Sequence, residues 1–185
     1  MTPRSLRNVA RMYEGRLVRL RAVEPGDAGF FHRGINDPEV KRGLLVRYPK
    51  SLWDEESWIE SVRTLSFANA HFVIENKTDG RNLGNVALRG ATPEDRTADL
   101  GVVLFDKARW SKGFGSDAVR TACRFGFEEM GLERIELWVF ADNERARRAY
   151  QKVGFVHEGT GRSRVYRHGA RMDELLMGLL QGELT

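Results

Sequence analysis

A glycine-rich stretch in the middle of the chain carries the residue types that hold an anion. Residues 110–118 have the sequence WSKGFGSDA and follow an apolar run at residues 100–105. The run is typical of a buried strand, and two glycines one residue apart allow a tight turn that points several N–H groups at one place. Ser116 and Asp117 suit the start of a helix, whose first turn has free N–H donors and a partial positive charge. The stretch predicts a site for a phosphorylated cofactor, and a glycine turn that only links strand to helix is the alternative.

A second pair of polar side chains follows the next predicted strand. Asn143 and Tyr150 are seven positions apart, which is about two helical turns, so one helix would place both on the same face. The strand predicted at residues 134–140 leads into this helix, and a crossover connection places its start beside the glycine-rich loop. An amide, a phenol and a phosphate site would then converge at one edge of the sheet. A packed helix tyrosine is the alternative interpretation of Tyr150.

The composition is that of an ordinary globular chain with a modest basic excess. Its 185 residues are 41% hydrophobic and 30% charged, with a formal net charge of +4, which fits one domain with a sizeable core. No apolar run approaches the roughly 20 residues of a membrane helix, and no secretory signal is expected at the N-terminus. The basic residues are interleaved with acids, so neither nucleic acid nor a membrane is expected as a partner. The single cysteine, Cys123, cannot form an internal disulfide and indicates a cytoplasmic location.

Hydrophobic periodicity and turn signals predict the order β, α, α, β, β, β, α, β, α, β, β along the chain. Three consecutive strands joined by short turns, the last at residues 97–105, predict an antiparallel meander. A helix at residues 118–130 then joins this strand to the next one by a parallel crossover, so the sheet is mixed. The chain is predicted to end in two strands, at residues 155–158 and 173–180, with an arginine-rich loop at residues 159–170 between them.

The two motifs together resemble those of the GNAT family of N-acetyltransferases. Residues 110–118 resemble the acetyl-CoA loop of that family, and residues 143–155, NERARRAYQKVGF, resemble its second motif. Residues 17–21, Asp173 and Trp110, which stands where many members carry Gln or Arg, are similar to the RimJ/RimL-like branch. The resemblance implies an α/β (α+β) fold with a mixed, mostly antiparallel sheet of about seven strands, a central splayed parallel pair and about four helices. It also implies an N-terminal extension over residues 1–15 and a single N-acetyltransferase domain over residues 16–185.

The resemblance further implies a reaction in which an amine attacks the thioester of acetyl-CoA directly. Tyr150 would protonate the departing thiolate as the general acid. Asp99 is the first candidate for the base, with a strand-end salt bridge as the alternative, and Glu75, His71 and Asp173 compete with it. The residues expected to bind acetyl-CoA are Val103, Leu104, Ser111, Lys112, Gly113, Phe114, Gly115, Ser116, Asn143 and Ala146. No metal is expected, because the four histidines show no ligand spacing.

The acceptor amine is less constrained than the cofactor. The RimJ/RimL-like branch implies a protein or peptide N-terminal amine, and the arginine-rich residues 159–170 would suit an acidic substrate or peptide. A small-molecule amine such as a polyamine, an amino sugar or an antibiotic is the alternative, because relatives with similar motifs acetylate these compounds. An exposed basic hairpin without contact to the substrate is the alternative interpretation of the arginines. The resemblance also allows a homodimer.

Two other classes of protein are compatible with parts of the sequence. Residues 113–118 match G-x-G-x-x-A, the dinucleotide fingerprint, and Asp142 lies near the position of a ribose-binding acid, as in a nicotinamide-dependent oxidoreductase. The residues between strand and glycine, 106–112, oppose this interpretation because the fingerprint requires a tight turn. A non-catalytic acyl-CoA binder is the other alternative, and Tyr150 argues against it because a binder needs no acid there.

Overall fold

A computed structural model describes residues 13–64 and 66–185 and contains one mixed sheet of seven strands. The strands are β1 (Val18–Ala22), β2 (Asn69–Asn76), β3 (Asn82–Arg89), β4 (Thr97–Leu104), β5 (Arg134–Phe140), β6 (Val156–Arg167) and β7 (Ala170–Leu180). The α-helices in these residues are α1 (Ala28–Asn36), α2 (Pro38–Lys41), α3 (Leu52–Val62), α4 (Phe114–Glu128) and α5 (Glu144–Gln151). No helix within the described ranges is long and apolar enough to cross a membrane.

The sheet has the order β1-β2-β3-β4-β5-β7-β6, and only β4 and β5 run parallel. These two strands pair over only three positions, from Thr97 opposite Arg134 to Asp99 opposite Glu136. Beyond Asp99, β4 continues to pair with β3, and β5 continues to pair with β7. The two strands therefore diverge, which confirms the predicted fold with its central splayed parallel pair.

Helices cover both faces of the sheet. Phe72 and Ile74 of β2 pack in a cluster that includes Ala118 and Ala122 of α4. Val73, which lies between them, points to the opposite face and packs in a cluster with residues of α1 and α3. A third cluster joins α4 and α5 to β4, β5 and β7. The alternation along β2 thus separates the α4 side of the sheet from the α1–α3 side.

The structure differs from the predicted elements at three places. Helix α4 begins at Phe114, directly after Gly113 in the left-handed conformation (φ 88°), and not at residue 118. Helix α2 was not predicted, and Asp37 caps it by accepting the N–H groups of Glu39 and Val40 at 2.8 and 3.2 Å. The prediction of a loop over residues 159–170 was wrong, because β6 and β7 fill it as a long hairpin.

The segment that precedes β1 contacts the domain. Residues 1–12 of the predicted extension lie outside the described residues. Tyr13 packs against Phe72 and Phe125 with tilted rings, whose centroids lie 6.2 and 5.7 Å from its own. The N–H of Gly15 donates to the carbonyl of Val18 at 2.8 Å. These contacts place the last residues before β1 along the side of α4; the domain boundary at residue 16 stays a prediction.

Candidate active site

The cleft between the diverging strands exposes one edge of β4. Along an antiparallel ladder, residue pairs that are joined by main-chain hydrogen bonds alternate with pairs that are not. Just beyond the end of β4, the N–H of Phe105 donates to the carbonyl of Leu83 in β3 at 2.8 Å, so Phe105 belongs to the bonded set. By the same register Val103 bonds to β3. The main-chain groups of Val102 and Leu104 therefore point the other way, toward the cleft. An extended ligand arm can bind such an edge as an added strand does.

The register refines the prediction made for Val103. The sequence predicted a main-chain donor near Val103, and the ladder directs the N–H groups of its two neighbours, Val102 and Leu104, into the cleft. The carbonyl of Leu104 already accepts a hydrogen bond from the indole Nε1 of Trp110 at 2.9 Å. Val102 was not predicted as a site residue, because only the strand register reveals which residues face the cleft.

The glycine-rich loop ends in a group of backbone N–H donors at the start of α4. The first hydrogen bond of this helix runs from the N–H of Asp117 to the carbonyl of Gly113 at 3.0 Å. Helix geometry therefore leaves the N–H groups of residues 113–116 without partners inside the helix. Ser111 and Gly113 both have positive φ angles, 59° and 88°, which turns the chain sharply just before these donors. Such a concave group of N–H donors at a helix N-terminus suits a phosphate group.

The other predicted residues of this loop have mixed placements. The N–H of Lys112 donates to the carbonyl of Arg109 at 3.4 Å, so this donor is partly used inside the loop. The Phe114 side chain is buried in the core, which leaves only its main chain for a ligand. The hydroxyl of Ser116 donates to the carbonyl of Gly113 at 3.0 Å. Gly115 lies between them in the first turn of α4.

Asp117 anchors this end of α4 to the first strand. Its carboxylate, in a residue that is only 5% exposed, accepts the backbone N–H groups of Arg16, Leu17 and Val18 at 3.1, 2.7 and 3.1 Å. A Cβ atom on Gly15 would lie 2.3 Å from one oxygen of this carboxylate, so only glycine fits at that position. The sequence analysis treated Asp117 only as a helix-start residue, because its partners are about a hundred positions away in the chain.

Tyr150 lies inside the core near the cleft. The residue is 9% exposed and belongs to the same packed cluster as Leu100, Val102 and Val139. Burial, with a smaller effect from the negative charge of Asp99, raises the pKa of the Tyr150 phenol to about 12. The phenol therefore keeps its proton at neutral pH, as a general acid must.

Asn143 caps the helix that carries Tyr150. Its side-chain oxygen accepts the N–H of Ala146 at 3.2 Å, which leaves the side-chain NH2 group as a donor for other partners. That NH2 group lies 3.3 Å from the position that a Cβ on Gly43 would take, so residues around Gly43 approach the start of α5. Asn143 and Ala146 therefore lie at the helix start on the β5 side of the cleft.

Asp99 lies where β4 and β5 begin to diverge. Its carboxylate forms an ion pair with Arg89 of β3, and its side chain is 43% exposed. Glu136 is its register partner on β5 and bonds to Arg134 at 3.0 Å. These four residues line an open depression of about 510 Å³ on the sheet face opposite α4. The salt bridge that was the alternative interpretation of Asp99 is therefore present, and the role of Asp99 as the base stays a prediction. Glu136 is a second carboxylate that the sequence analysis did not single out.

The competing candidates for the base have different surroundings. Glu75 accepts hydrogen bonds from Arg19 and Arg21 at 2.6 Å each. Burial opposes ionisation of Glu75, but these arginines hold the pKa of the carboxyl below its usual value. Asp173 accepts the N–H of Ser163 at 2.7 Å. Both carboxylates therefore have partners that serve the fold.

His71 is the remaining candidate and has no ionic partner within the described ranges. It is 9% exposed, and its Nδ1 is buried without a hydrogen-bond partner among the described residues. Burial, with a smaller effect from the positive charge of Arg89, lowers the pKa of the imidazole. His71 faces Trp58 of α3, with ring centroids 5.8 Å apart. From these surroundings we expect His71 to be a neutral imidazole on the α1–α3 side of the sheet.

The described part of the structure offers little support for a cysteine nucleophile or a metal site. Cys123 is fully buried in α4, and this burial raises the pKa of its thiol well above the usual value. Such a thiol is a poor nucleophile at neutral pH. Across residues 13–64 and 66–185, no group of three or more His, Cys, Asp or Glu side chains is arranged to hold a metal ion.

Comparison with known proteins identifies the family. A family profile described as an acetyltransferase (GNAT) domain matches residues 17–156. The chain belongs to the GNAT family. The Bacillus subtilis protein named Probable N-acetyltransferase YjcK is 37% identical over 146 residues, which are 77% of this chain and 72% of that protein. Spermidine N(1)-acetyltransferase of Vibrio cholerae is 27% identical over 165 residues, which are 89% of this chain and 93% of that protein.

Solved GNAT structures have the same fold. The crystal structure of spermidine N-acetyltransferase from Vibrio cholerae in complex with CoA and spermine matches with a TM-score of 0.83 at 25% identity. The match covers 90% of this chain and 97% of that one. The chain is thus an acetyl-CoA-dependent N-acetyltransferase. Its residues fit this co-substrate, since the N–H donors of residues 113–116 and the open edge of β4 suit a diphosphate and an extended amide arm.

Proposed function

We propose that this GNAT acetyltransferase transfers the acetyl group of acetyl-CoA to a primary amine of a small molecule, with a polyamine as the first candidate. The observation that carries the proposal is the similarity, over 90% of this chain, to a spermidine N-acetyltransferase solved with CoA and spermine. Spermidine N(1)-acetyltransferase of Escherichia coli adds support, at 27% identity over 172 residues. These relatives favour the small-molecule alternative over the peptide N-terminal amine expected from the sequence.

The arginines of the β6–β7 hairpin also favour a small amine. Arg164 bonds to Glu174 at 2.9 Å and stacks over Trp138, with its guanidinium carbon 3.9 Å from the ring centroid. Arg167 is buried and donates to the carbonyls of Lys41 and Leu44. These two arginines therefore serve the fold, and they are not a free basic surface for an acidic peptide.

Carboxylates stand where an amine would approach the splayed strands. Asp99 and Glu136 form the last pair of the parallel ladder, directly before the cleft opens. Their partners, Arg89 and Arg134, are cations that a substrate ammonium group can replace. A polyamine offers several ammonium groups for such exchange, whereas a peptide N-terminus offers one.

A peptide N-terminal amine is the second candidate acceptor. It rests on the similarity of Trp110, Asp173 and residues 17–21 to the RimJ/RimL-like branch. The homodimer that the resemblance allows and the cytoplasmic location indicated by the single cysteine also stay predictions. Sedimentation of the purified protein tests the first, and localisation of the tagged protein tests the second.

The proposed mechanism assigns each step to a residue of the chain. Acetyl-CoA, when bound, supplies an acetyl thioester that is activated for attack by a neutral amine. Asp99 accepts the proton of the incoming ammonium group, directly or through water, after the amine displaces Arg89. One cleft-facing N–H group of β4, that of Val102 or that of Leu104, donates to the thioester oxygen as negative charge develops there. Tyr150 gives its hydroxyl proton to the leaving sulfur and regains a proton, directly or through water, as the new amide nitrogen loses its surplus proton. The products are the N-acetyl amine and CoA in its thiol form.

An acceptor panel tests the proposed substrate. Purified protein is mixed with acetyl-CoA and either spermidine, spermine, an aminoglycoside or short peptides with free N-termini, and thiol release gives kcat/KM for each acceptor. The proposal expects the highest kcat/KM with a polyamine. A peptide that exceeds both polyamines by tenfold or more would reverse the assignment. Asp99→Asn and Glu136→Gln are expected to raise KM for the polyamine more than KM for acetyl-CoA, because both side chains face the amine.

A further inference from the structure

An arginine and a tryptophan connect the two walls of the cofactor cleft. The guanidinium carbon of Arg145, in the first turn of α5, lies 3.7 Å from the centroid of the Trp110 ring. Trp110 is fixed in turn, because its indole N–H donates to the carbonyl of Leu104 at the end of β4. Trp110 directly precedes the glycine-rich loop, whereas Arg145 follows β5. The stacked pair therefore spans the open end of the cleft, where β4 and β5 are separated.

Arg145 has no acidic partner in the described part of the chain. Its neighbour on the exposed side of α5, Arg148, pairs with Glu144 at 3.5 Å. The negative charge of Glu39 acts on Arg145 from a distance, but Glu39 is already paired with Lys107, whose ammonium group lies 3.1 Å from its carboxylate. Partial burial of Arg145 lowers the pKa of its guanidinium, and the group remains charged. A positive charge is thus held in a fixed place without a neutralising carboxylate.

The stacking geometry leaves the hydrogen-bond donors of Arg145 available. A guanidinium that lies face-on against an aromatic ring makes its contact through the π face, and its N–H groups point outward in the plane. In-plane N–H pairs match the oxygen spacing of a phosphate group and bind it in a bidentate manner. Trp110 thereby orders the side chain before a ligand arrives, which reduces the entropy lost on binding.

We propose that Arg145, presented by Trp110, binds a phosphate group of CoA. The proposal rests on the acetyl-CoA site described above and adds a residue to it. The N–H donors of residues 113–116 lie on the β4 side of the cleft and suit the diphosphate. Arg145 lies on the β5 side, so the phosphate that these N–H donors leave free, the 3′-phosphate of the ribose, is its expected partner. Arg148 lies on the solvated face of α5, whereas Arg145 stacks on Trp110.

Calorimetric titration with CoA alone tests the proposal without an amine. Arg145→Gln is expected to weaken CoA binding about tenfold to a hundredfold, the effect of one charge-assisted hydrogen-bond pair. Arg148→Gln is the matched control, because it removes the same charge from an exposed position of α5 and is expected to change binding less than about twofold. Arg145→Lys keeps the charge but loses the planar fork and is expected to bind with intermediate affinity.

Truncated ligands identify the phosphate. If Arg145 binds the 3′-phosphate, dephospho-CoA binds the wild type and Arg145→Gln equally; if it binds the diphosphate, the variant is weaker for both ligands. KM for acetyl-pantetheine, which carries no phosphate, should be the same for both proteins. Equal CoA affinity of wild type and Arg145→Gln would overturn the proposal, and so would an equal loss with acetyl-pantetheine, which would indicate a distorted cleft. Failure of the wild type to bind CoA would instead reject the acetyl-CoA site itself.

Discussion

Removal of the Asp117 carboxylate should loosen the anion-binding end of α4. In Asp117→Ala three backbone N–H groups of β1 and the residues before it lose their acceptor. The N–H of Val18 is buried, and an unpaired buried donor costs about 1–3 kcal/mol. The N–H groups of Arg16 and Leu17 are partly exposed and can bind water, so each costs about 0.5–1 kcal/mol. The expected loss is about 3 kcal/mol of unfolding free energy, a large share of the 5–15 kcal/mol of a typical domain.

The two carboxylate oxygens predict a ranking of variants. One oxygen accepts from Leu17 and Val18, and the other accepts from Arg16 alone. In Asp117→Asn the amide oxygen can keep the first two bonds, while its NH2 group faces the N–H of Arg16. The expected loss is therefore about 1–2 kcal/mol, less than for alanine. Glu128→Gln is the matched control, because it removes a charge from an exposed position at the other end of α4 and should stay within about 0.5 kcal/mol.

Two measurements test this prediction. Urea unfolding gives the free energies, and steady-state kinetics give KM for acetyl-CoA and kcat separately. Both Asp117 variants should raise KM for acetyl-CoA several-fold with kcat less affected, because the N–H donors of residues 113–116 are no longer held in place. Removal of the negative charge near the start of α4 acts in the opposite direction, because by itself it would strengthen binding of an anion. A lower KM, or stability equal to that of Glu128→Gln, would refute the reasoning.

Three further outcomes follow from the surroundings of single residues. Because the pKa of the Tyr150 phenol is about 12, ionisation of this group should cause no loss of kcat/KM below about pH 11, as measured by thiol release. A decrease in kcat/KM near pH 9 that disappears in Tyr150→Phe would contradict this prediction. The pKa of His71 is lowered in the folded protein, so its contribution to stability is present above about pH 6.5 and is lost as pH falls below that value. The melting temperature should therefore decrease from pH 7 to pH 5, and it should decrease less in His71→Gln. The same pH dependence of the melting temperature in both proteins would exclude His71 as the cause. Gly84→Ala would place a Cβ atom 1.9 Å from the carbonyl oxygen of Val103, so it should destabilise the protein by about 1–3 kcal/mol and raise KM for acetyl-CoA, whereas Gly80→Ala, strained but without a close contact, should leave KM unchanged.

The parts of the site that are local in sequence could be predicted. The glycine-rich loop and the helix from Asn143 to Tyr150 are each encoded within about ten residues, and their positions after two strands suggested that they meet. The splay between β4 and β5 was implied by the resemblance and is confirmed by a ladder that ends at Asp99. Local pattern and chain order were therefore sufficient to predict the glycine-rich loop, the second helix and the splayed strands, and the role of their residues in binding acetyl-CoA stays a prediction.

The contacts that depend on strand register or on distant partners could not be predicted. The main-chain groups of either Val102 or Val103 face the cleft, depending on which of the two residues is hydrogen-bonded to β3. No local sequence pattern reveals this register. The full length of the β6–β7 hairpin was missed because β6 contains two glycines, polar residues and two register shifts. The pairing with β7 compensates for its weak strand propensity. The stack of Arg145 on Trp110 joins residues from two separate motifs, so it too required the structure.

Thiol release from acetyl-CoA with spermidine, in the wild type and in Tyr150→Phe, tests the central claim most directly. Calorimetry with CoA first establishes that both proteins bind the co-substrate with similar affinity. The account predicts amine-dependent thiol release by the wild type and a decrease in kcat of about a hundredfold or more in Tyr150→Phe, the usual effect of removing a general acid. Equal kcat values in the two proteins would contradict the role of Tyr150, and tight CoA binding without turnover on any amine of the panel would contradict the proposed reaction.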